Sequence, residues 1–268
     1  MANSSAPQGS DGIELVDTHC HIHFVDFPLD PEKVIQDAAL AGVTRLIVVG
    51  CTLEDSRMAV EFAARHENVW AAIGLHPHEG AQYVHDHAAL QSFRDLAGSP
   101  KVVAIGEIGL DYYYEHSPKE DQIKLLRFQL DVAKEYAKPL IFHVREAFDD
   151  FWPIFDSYDG LKGVVHSFSS STNDLEQILK RGLYVGLNGI MTFTKNEEQL
   201  AAARAVPLEK LLLETDAPFL TPKPFRGKIC ESKYVRVTGE FLSELRNESL
   251  EKLAAATTVN AKELFNLL

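Results

Sequence analysis

Short apolar runs rich in β-branched residues alternate along the chain with longer stretches in which apolar residues recur every three to four positions. The short runs have the length and composition of buried strands, and the longer stretches have the periodicity of amphipathic helices. The strands are predicted over Leu15–Ile22, Arg45–Gly50, Val69–Gly74, Val102–Ile108, Pro139–Val144, Gly163–Phe168, Leu183–Asn188 and Leu211–Asp216. The chain therefore reads as a succession of strand–helix repeats.

Residues that begin and end helices lie between the predicted strands. After the first strand, Asp30 is predicted to cap a helix that begins at Pro31 and ends near Gly42, because these residue types suit those three positions. Further helices are predicted over 54–66, 88–97, 119–138, 146–157, 172–181, 196–205 and 233–246, and the tail from residue 249 adds one or two more.

Strand–helix repeats of this number predict a single (β/α)8 barrel over residues 13–268, preceded by a flexible leader over residues 1–12. A doubly wound open sheet also alternates strands with helices. That fold usually carries a glycine-rich phosphate loop after its first strand, and no G-x-G-x-x-G motif stands there. The pattern therefore favours the barrel.

The composition narrows the classes of function. The chain has 268 residues, 46% of them hydrophobic, and a formal net charge of −13, which disfavours broad binding to duplex nucleic acid. It has no apolar run long enough to cross a bilayer, and its first residues lack the features of a signal peptide. We therefore expect a cytoplasmic protein with no membrane partner and no obligate protein partner.

The three cysteines form no spaced pair of the kind found in zinc knuckles or redox dithiols. They are Cys20, Cys51 and Cys230, and an odd number argues against a disulfide framework. All three are interpreted as small, partly buried apolar residues.

Imidazoles and carboxylates gather at the carboxyl ends of the predicted strands. The residues are His19, His21, His76, Glu107, His143, His166 and Asp216. Because the strand ends of a barrel meet at one rim, these side chains are expected to cluster there. A single histidine after a strand is more often structural, but the repeated placement favours a site for divalent cations. The set exceeds what one tetrahedral ion needs, so two ions that share a carboxylate are predicted.

The first strand ends in the segment "DTHCHIH", which places Asp17, His19, His21 and His23 on one face. Only His19 and His21 lie close enough to the rim to reach an ion. Asp17 lies deeper and is expected to orient a ligand or a backbone group. His23 is expected to be an ordinary residue of the first loop, and Cys20 is expected to point outward to the helices.

These residues stand in blocks that resemble the TatD family of metal-dependent deoxyribonucleases and hydrolases. The blocks are "DTHCHIHF", "AAIGLHPH", "AIGEIGLDYY", "QLDVAKEYAKPLIFHVREA", "GVVHSFSSS" and "LLLETDAPFLTP" followed by "RGK". They run in order from residue 17 to residue 228. The resemblance implies the same barrel fold and a hydrolase with two divalent ions per chain, with Mg, Mn, Zn, Ni and Fe all possible.

The resemblance also implies roles for individual residues. The metal ligands are His19, His21, Glu107, His143, His166 and Asp216, with Glu107 bridging the ions. One ion takes His19, His21 and Asp216, and the other takes His143 and His166. Asp216 orients or deprotonates the attacking water, so Asp216 and Glu107 are the expected catalytic residues. His76 contacts the scissile phosphate, although it could instead cap the turn before Pro77.

The substrate contacts are expected at Arg145, Arg226 and Lys228, which can hold phosphates against an otherwise acidic protein. Taken singly, each of these residues could equally be an ordinary surface cation with no contact to substrate. The run Tyr112–Tyr114 either stacks bases or packs a long loop. The chain departs from the family pattern at Ser170 and at the pair Ile229-Cys230, which bears on substrate preference.

Three classes of function are weighed. The resemblance favours a phosphodiesterase that acts on DNA, as a 3′–5′ exonuclease on single strands or ends. The second class is a small-molecule amidohydrolase, lactonase or phosphoesterase. Many two-metal barrels of that kind use a carbamylated lysine where this chain has Glu107. The third is a barrel without catalysis, against which the intact set of ligand residues argues.

Overall fold

The computed structural model describes residues 12–114 and 116–267. Nearly all of the predicted leader therefore lies outside the described residues. The strands are β1 (Leu15–Cys20), β2 (Val43–Val49), β3 (Val69–Ile73), β4 (Val102–Asp111), β5 (Leu140–Arg145), β6 (Gly163–Val165), β7 (Tyr184–Leu187) and β8 (Leu211–Leu213).

Helices follow the strands around the outside of the sheet. The α-helices are α1 (Pro31–Leu40), α2 (Leu53–Ala64), α3 (Gly80–Tyr83), α4 (His87–Leu96), α5 (Lys119–Glu135), α6 (Phe148–Phe155), α7 (Thr172–Lys180), α8 (Glu197–Ala205), α9 (Val235–Arg246) and α10 (Leu250–Phe265). Short 3-10 turns span Pro77–Glu79, Gly189–Thr192, Leu208–Lys210 and Ser232–Tyr234. Within the described part of the chain, no helix is both long and apolar enough to span a membrane.

The capping residues explain several helix starts. The Asp30 side chain accepts hydrogen bonds from the backbone N–H groups of Glu32 and Lys33, and Pro31 is the first helical residue, as predicted. At the start of α7, Ser171 and Asp174 form a reciprocal capping box. These side chains satisfy backbone donors that have no partner within the helix.

The strands pair in the order of the sequence, from β1 to β8, and every pairing is parallel. The two ends of the sheet then meet. The backbone N–H of Asp216 donates to the carbonyl of His19 at 2.9 Å, and the N–H of His21 donates to the carbonyl of Ala217 at 2.6 Å. The barrel prediction is confirmed, because a doubly wound sheet would leave its first strand in the interior of the strand order.

The strands are buried along nearly their whole length, as expected of a sheet covered by helices on its outer side. Their observed ends differ from the prediction at the rim. β4 continues to Asp111, three residues past the predicted end, whereas β8 stops at Leu213. His166 and Asp216 consequently lie on the loops just after their strands.

Candidate metal centre

A cavity of about 940 Å³ opens at the carboxyl ends of the strands. Five of the predicted metal ligands line it, namely His21, Glu107, His143, His166 and Asp216, and so does His76. His19 is fully buried beside them, with its Nε2 atom 3.2 Å from the Nε2 of His21. The fold therefore brings together all the metal-ligand candidates and His76.

Glu107 lies at the centre of this cluster, and its two carboxylate oxygens face different pairs of histidines. Oε2 lies 3.4 Å from His19 Nε2 and 4.0 Å from His21 Nε2. Oε1 lies 2.7 Å from His143 Nδ1 and 2.8 Å from His166 Nε2. One carboxylate is thus placed between two groups of nitrogen donors.

Asp216 completes the group on the Oε2 side. Its Oδ1 atom lies 3.3 Å from His21 Nε2 and 3.6 Å from His19 Nε2. Ligands at bond lengths of ~2.1 Å around a tetrahedral ion are separated by about 3.4 Å. The donor atoms of His19, His21 and Glu107 are therefore close enough together to bind one ion, and Asp216 lies at similar distances from the two imidazoles.

On the Oε1 side, the donors of His143 and His166 are 3.4 Å apart. His76 Nε2 approaches the same oxygen of Glu107 at 3.5 Å. The nitrogen donors of His143 and His166 and the carboxylate of Glu107 suit Zn²⁺ and other divalent transition ions. The donor chemistry of the residues present therefore fits divalent metal.

Hydrogen bonds fix the orientation of two of the imidazoles. His21 Nδ1 lies 2.6 Å from the carbonyl of Val49, and His143 Nε2 lies 2.8 Å from Asp111 Oδ2. A ring nitrogen that donates to such an acceptor leaves the other nitrogen unprotonated and able to bind metal. Asp111 was not predicted as a site residue, although it lies in the segment "AIGEIGLDYY" that also contains Glu107.

Glu214 is a second carboxylate that the sequence analysis missed. It is fully buried, its Oε1 accepts a hydrogen bond from the Ser167 backbone, and the same oxygen lies 3.6 Å from His166 Nδ1. Among the described residues, Glu214 Oε2, His166 Nδ1 and His19 Nδ1 have no hydrogen-bond partner. The spacing of Glu214 and Asp216 by two residues was the available sequence signal.

Asp17 lies beneath the cluster, as expected. Its carboxylate accepts hydrogen bonds from the backbone N–H and the hydroxyl of Thr215, at 2.9 and 2.7 Å, and a weaker one from the His19 backbone. It thereby joins the end of β1 to the segment that carries Asp216.

His23 lies in the first loop, as expected, but it is not an ordinary residue of that loop. The side chain is buried in the turn after β1, and its Nε2 lies 2.8 Å from Asp55 Oδ1. The other oxygen of Asp55 accepts a hydrogen bond from the Cys51 backbone at 2.7 Å. His23 therefore connects the first loop to α2, a role that strand alternation does not reveal.

The cysteines divide into two kinds. Cys20 and Cys230 are buried in an apolar cluster outside the barrel interior, as expected. Cys51 instead lines the cavity, with its Sγ atom 3.9 Å from Glu107 Oε2. The apolar interpretation is therefore incomplete for Cys51.

His76 has the capping role that was one of its two alternatives. Its Nδ1 accepts a hydrogen bond from the His78 backbone N–H at 3.2 Å, which caps the turn that begins at Pro77. Burial lowers the pKa of His76 to about 4, against the opposing effect of Glu107. The neutral ring therefore carries its proton on Nε2, the atom that faces the cluster.

The carboxylates and imidazoles of the cluster shift one another's pKa values. Burial alone would raise the pKa of Glu107, but His166, His76 and His143 more than offset this and hold it well below its usual value. Burial alone would lower the pKa of His166, but Glu107 and Glu214 raise it well above the usual value. Buried carboxylates in this site require nearby positive charge, which a divalent cation supplies.

The backbone is in the left-handed region at three positions just after rim strands. Glu146 follows β5 with φ 52°, Ser167 follows β6 with φ 49°, and Asp216 follows β8 with φ 61°. Such conformations are uncommon for residues with a side chain and concentrate at functional sites. Their clustering at one rim agrees with the position of the candidate centre.

A glycine allows the central carboxylate to take its position. A Cβ atom on Gly74, just after β3, would lie 2.3 Å from the backbone nitrogen of Glu107. Only a residue without a side chain permits this close approach.

The basic residues predicted to contact substrate are placed differently from one another. Arg145 lines the cavity. Arg226 and Lys228 are exposed and do not line it, and the Arg226 guanidinium lies over the ring of Phe193 at 4.0 Å. Ser170 also lines the cavity, and its hydroxyl donates to Asp174.

The fold and the cluster together define a class of protein, the metal-dependent hydrolases built on a (β/α)8 barrel. A family model described as TatD related DNase matches residues 16–266. The chain therefore belongs to the TatD family.

Relatives match over nearly the whole chain. The uncharacterized metal-dependent hydrolase YabD of Bacillus subtilis is 36% identical, with 94% of this chain and 99% of that protein covered. The 3′-5′ ssDNA/RNA exonuclease TatD of Salmonella typhimurium is 34% identical, with 90% and 95% covered. The crystal structure of YjjV, a TatD homologue from Escherichia coli, is 34% identical, covers 94% of this chain and 98% of that chain, and superposes with a TM-score of 0.87.

Proposed function

We propose that the chain is a two-metal phosphodiesterase that shortens single-stranded DNA from its 3′ end. The observation that carries the proposal is the position of Glu107, whose two carboxylate oxygens face His19 and His21 on one side and His143 and His166 on the other. A carboxylate placed in this way suits two ions that share it. The exonuclease named among the relatives supports the choice of substrate.

In this proposal, His19, His21 and Asp216 would hold one ion, His143 and His166 would hold the other, and Glu107 would contribute to both sites. The bound ions, drawn from Mg, Mn, Zn, Ni or Fe, would polarise a phosphate oxygen, activate water and stabilise the leaving oxygen. The side chains of the cavity would accept the proton of the water and bind the phosphate.

Asp216 is suited to receive the proton of the attacking water. It is held beside His19 and His21, and these imidazoles outweigh the effect of burial and keep the pKa of Asp216 below its usual value. The carboxylate is therefore ionised and able to accept a proton as the water oxygen bonds to phosphorus.

His76 is suited to donate a hydrogen bond to the phosphate. Its Nδ1 is already used as an acceptor by the His78 backbone, so its Nε2–H is available at the cavity wall. This contact adds no charge and requires no change of protonation, since burial keeps the ring neutral.

The shape and charge of the protein support a strand end as the substrate. The reacting groups lie inside a concave cavity, where the end of a flexible strand enters more readily than the interior of a duplex. A net charge of −13 also disfavours extended contact with the duplex backbone.

The experiment uses single-stranded DNA labelled at its 5′ end, incubated with the protein and Mg²⁺ or Mn²⁺. We expect progressive shortening by the natural chain and by the control Glu135→Gln, which alters an exposed ion pair with Arg94. In Glu107→Gln, the rate of shortening is expected to fall at least about 100-fold. This is the upper limit of the effect seen for residues that only orient a metal ligand. The proposal fails if no labelled strand is cut with any divalent ion while a lactone or small phosphoester is hydrolysed.

A further inference from the structure

Arg145 is a cation at the wall of the cavity. Its side chain makes no hydrogen bond or ion pair with any residue in the described ranges 12–114 and 116–267. The guanidinium instead lies 3.9 Å from the ring centre of Tyr113 and 4.9 Å from that of Tyr114. We call these three residues the tyrosine–arginine stack.

The stack is held in a defined position relative to the candidate metal centre. The backbone N–H groups of Tyr113 and Tyr114 both donate to Asp111 Oδ1 at 3.0 Å. The other oxygen of Asp111 lies 2.8 Å from His143 Nε2. In addition, β4 and β5 pair Asp111 with Arg145. One carboxylate thus positions both a candidate ligand and the stack.

Both tyrosines of the stack are partly exposed, although the Tyr114 ring is also stacked against His116 with ring centres 5.6 Å apart. Tyr113 is 51% exposed and Tyr114 is 43% exposed, although most large apolar side chains of this protein are buried. Tyr114 and Arg145 line the same cavity as Glu107 and Asp216. The wall of this cavity therefore carries an aromatic ring and a guanidinium that has no acidic partner among the described residues.

Tyr112 has a different environment from the other two tyrosines of the run and is not part of the stack. Its hydroxyl donates to Asp150 at 2.9 Å, Lys119 lies over its ring at 3.9 Å, and the ring packs against the hydrophobic core. Tyr112 therefore packs the loop, whereas Tyr113 and Tyr114 contact Arg145 and Tyr114 lines the cavity.

We propose that the tyrosine–arginine stack is a nucleobase subsite that holds a base adjacent to the scissile phosphate. This inference rests on the proposed function and adds that the enzyme recognises bases as well as the backbone. Aromatic rings stack on any base, and arginine adds a planar cation that also attracts phosphate. The subsite therefore favours single strands, whose bases are free to stack, without selecting a sequence.

The test compares two single strands of the same length and backbone. One is an ordinary oligonucleotide, and the other has abasic residues at its two 3′-terminal positions. The natural chain is expected to cut the ordinary strand with a kcat/KM about 5- to 150-fold higher, the range that corresponds to stacking of one base. In Tyr114→Leu this preference should disappear, whereas Tyr114→Phe, which retains the ring, should preserve it.

Tyr112→Phe is the matched control, because it alters a tyrosine of the same run that lies outside the stack. Arg145→Gln is a second variant, and it should also reduce the preference for the ordinary strand over the abasic strand. Circular dichroism and thermal melting check that each variant is folded. The preference is the readout, since a merely structural defect lowers the cleavage of both strands by the same factor.

The outcomes separate this inference from the function on which it rests. If the natural chain cuts both strands equally well, or if Tyr114→Leu lowers both rates by one factor, the nucleobase subsite is wrong and the nuclease function stands. If the natural chain cuts neither strand, the proposed function itself fails, and the subsite fails with it.

Discussion

Asp111 Oδ2 lies 2.8 Å from His143 Nε2, on the opposite edge of the imidazole from Glu107. Burial would raise the pKa of Asp111, but the hydrogen bond to His143 more than offsets this and holds the carboxyl ionised. The pair keeps the proton of His143 on Nε2 and directs Nδ1 toward Glu107. The position of His143 Nδ1 therefore depends on Asp111, a carboxylate that is not itself a candidate ligand.

Asp111→Asn should weaken metal binding by about 10- to 100-fold, the usual cost of altering a residue that orients a metal ligand. The amide keeps an acceptor for His143 but lacks the charge that makes the imidazole a better donor to metal. Calorimetric titration with Mn²⁺ measures the effect. Asp150→Asn is the control, since Asp150 accepts from Tyr112 outside the cavity. Equal affinity in Asp111→Asn and the natural chain would contradict this role.

The number of ions should follow the two sides of Glu107. Elemental analysis of the metal-loaded protein is expected to give two ions per chain. His21→Ala should remove the ion on the Oε2 side, and His143→Ala should remove the ion on the Oε1 side, so each variant retains one. A natural chain that binds one ion at saturating metal would rule out the shared carboxylate.

Removal of metal should destabilise the fold, because the cluster then leaves buried carboxylates and imidazoles without their cation. A ligand at 100 times its dissociation constant stabilises the native state by about 2.7 kcal/mol. For a chain of this size, that corresponds to a Tm about 5–10 °C lower after chelation. Differential scanning calorimetry with and without chelator measures the difference. In Glu107→Gln the difference should shrink markedly, and a full difference there would place the stabilising ion elsewhere.

Much of the fold and of the centre could be predicted because both depend on short-range patterns. The alternation of apolar runs with helical stripes predicted the barrel, and strand ends such as those at Glu107 and His143 lie at the rim in any barrel of this kind. Asp111 and Glu214 were missed for opposite reasons. β4 runs past its apolar segment and carries Asp111 into the cavity, whereas β8 stops early and leaves Glu214 beyond the strand.

Residues that act through long-range contacts could not be placed from the sequence. The pair of His23 and Asp55 joins positions 32 residues apart, so no local sequence pattern predicts it. Arg145 and Arg226 also looked equivalent as candidate phosphate contacts. Only the fold shows that Arg145 lines the cavity and that Arg226 packs on Phe193 outside it.

Gly74→Ala should disable the centre without altering any candidate ligand. The added Cβ would lie 2.3 Å from the Glu107 nitrogen and 2.5 Å from its carbonyl oxygen, so the backbone of β4 must move. A shift of about 1 Å at a catalytic group can cost on the order of 100-fold in rate. Gly98→Ala is the matched control, because the nearest atom to its Cβ would be on the Tyr136 side chain at 3.2 Å and the nearest backbone atom would be 3.6 Å away. Nuclease rates and metal titration of both variants check the prediction, and normal metal binding by Gly74→Ala would contradict it.

Glu14 should make the stability of the barrel depend on pH at acid values. At the end of the barrel opposite the cavity, its carboxylate accepts hydrogen bonds from Thr44 and Lys262, both at 3.0 Å, and pairs with Arg45. Burial would raise its pKa, but the hydrogen bonds and these cations lower it below the usual 4.5. The stabilisation is therefore complete above the unfolded-state pKa and is lost as the pH falls through the lower pKa of the folded state.

Glu14→Gln should accordingly reduce the free energy of unfolding at neutral pH by about 0.5–1 kcal/mol, a value that allows for solvent screening of a partly exposed group. The difference from the natural chain should vanish once the pH lies below the folded-state pKa, because Glu14 is then neutral in both states. Urea unfolding of both chains across this pH range measures the change. Glu135→Gln, which alters a more exposed pair with Arg94, should cost less at neutral pH. A difference for Glu14→Gln that stays constant with pH would mean that the side chain stabilises the barrel by packing and not by its charge.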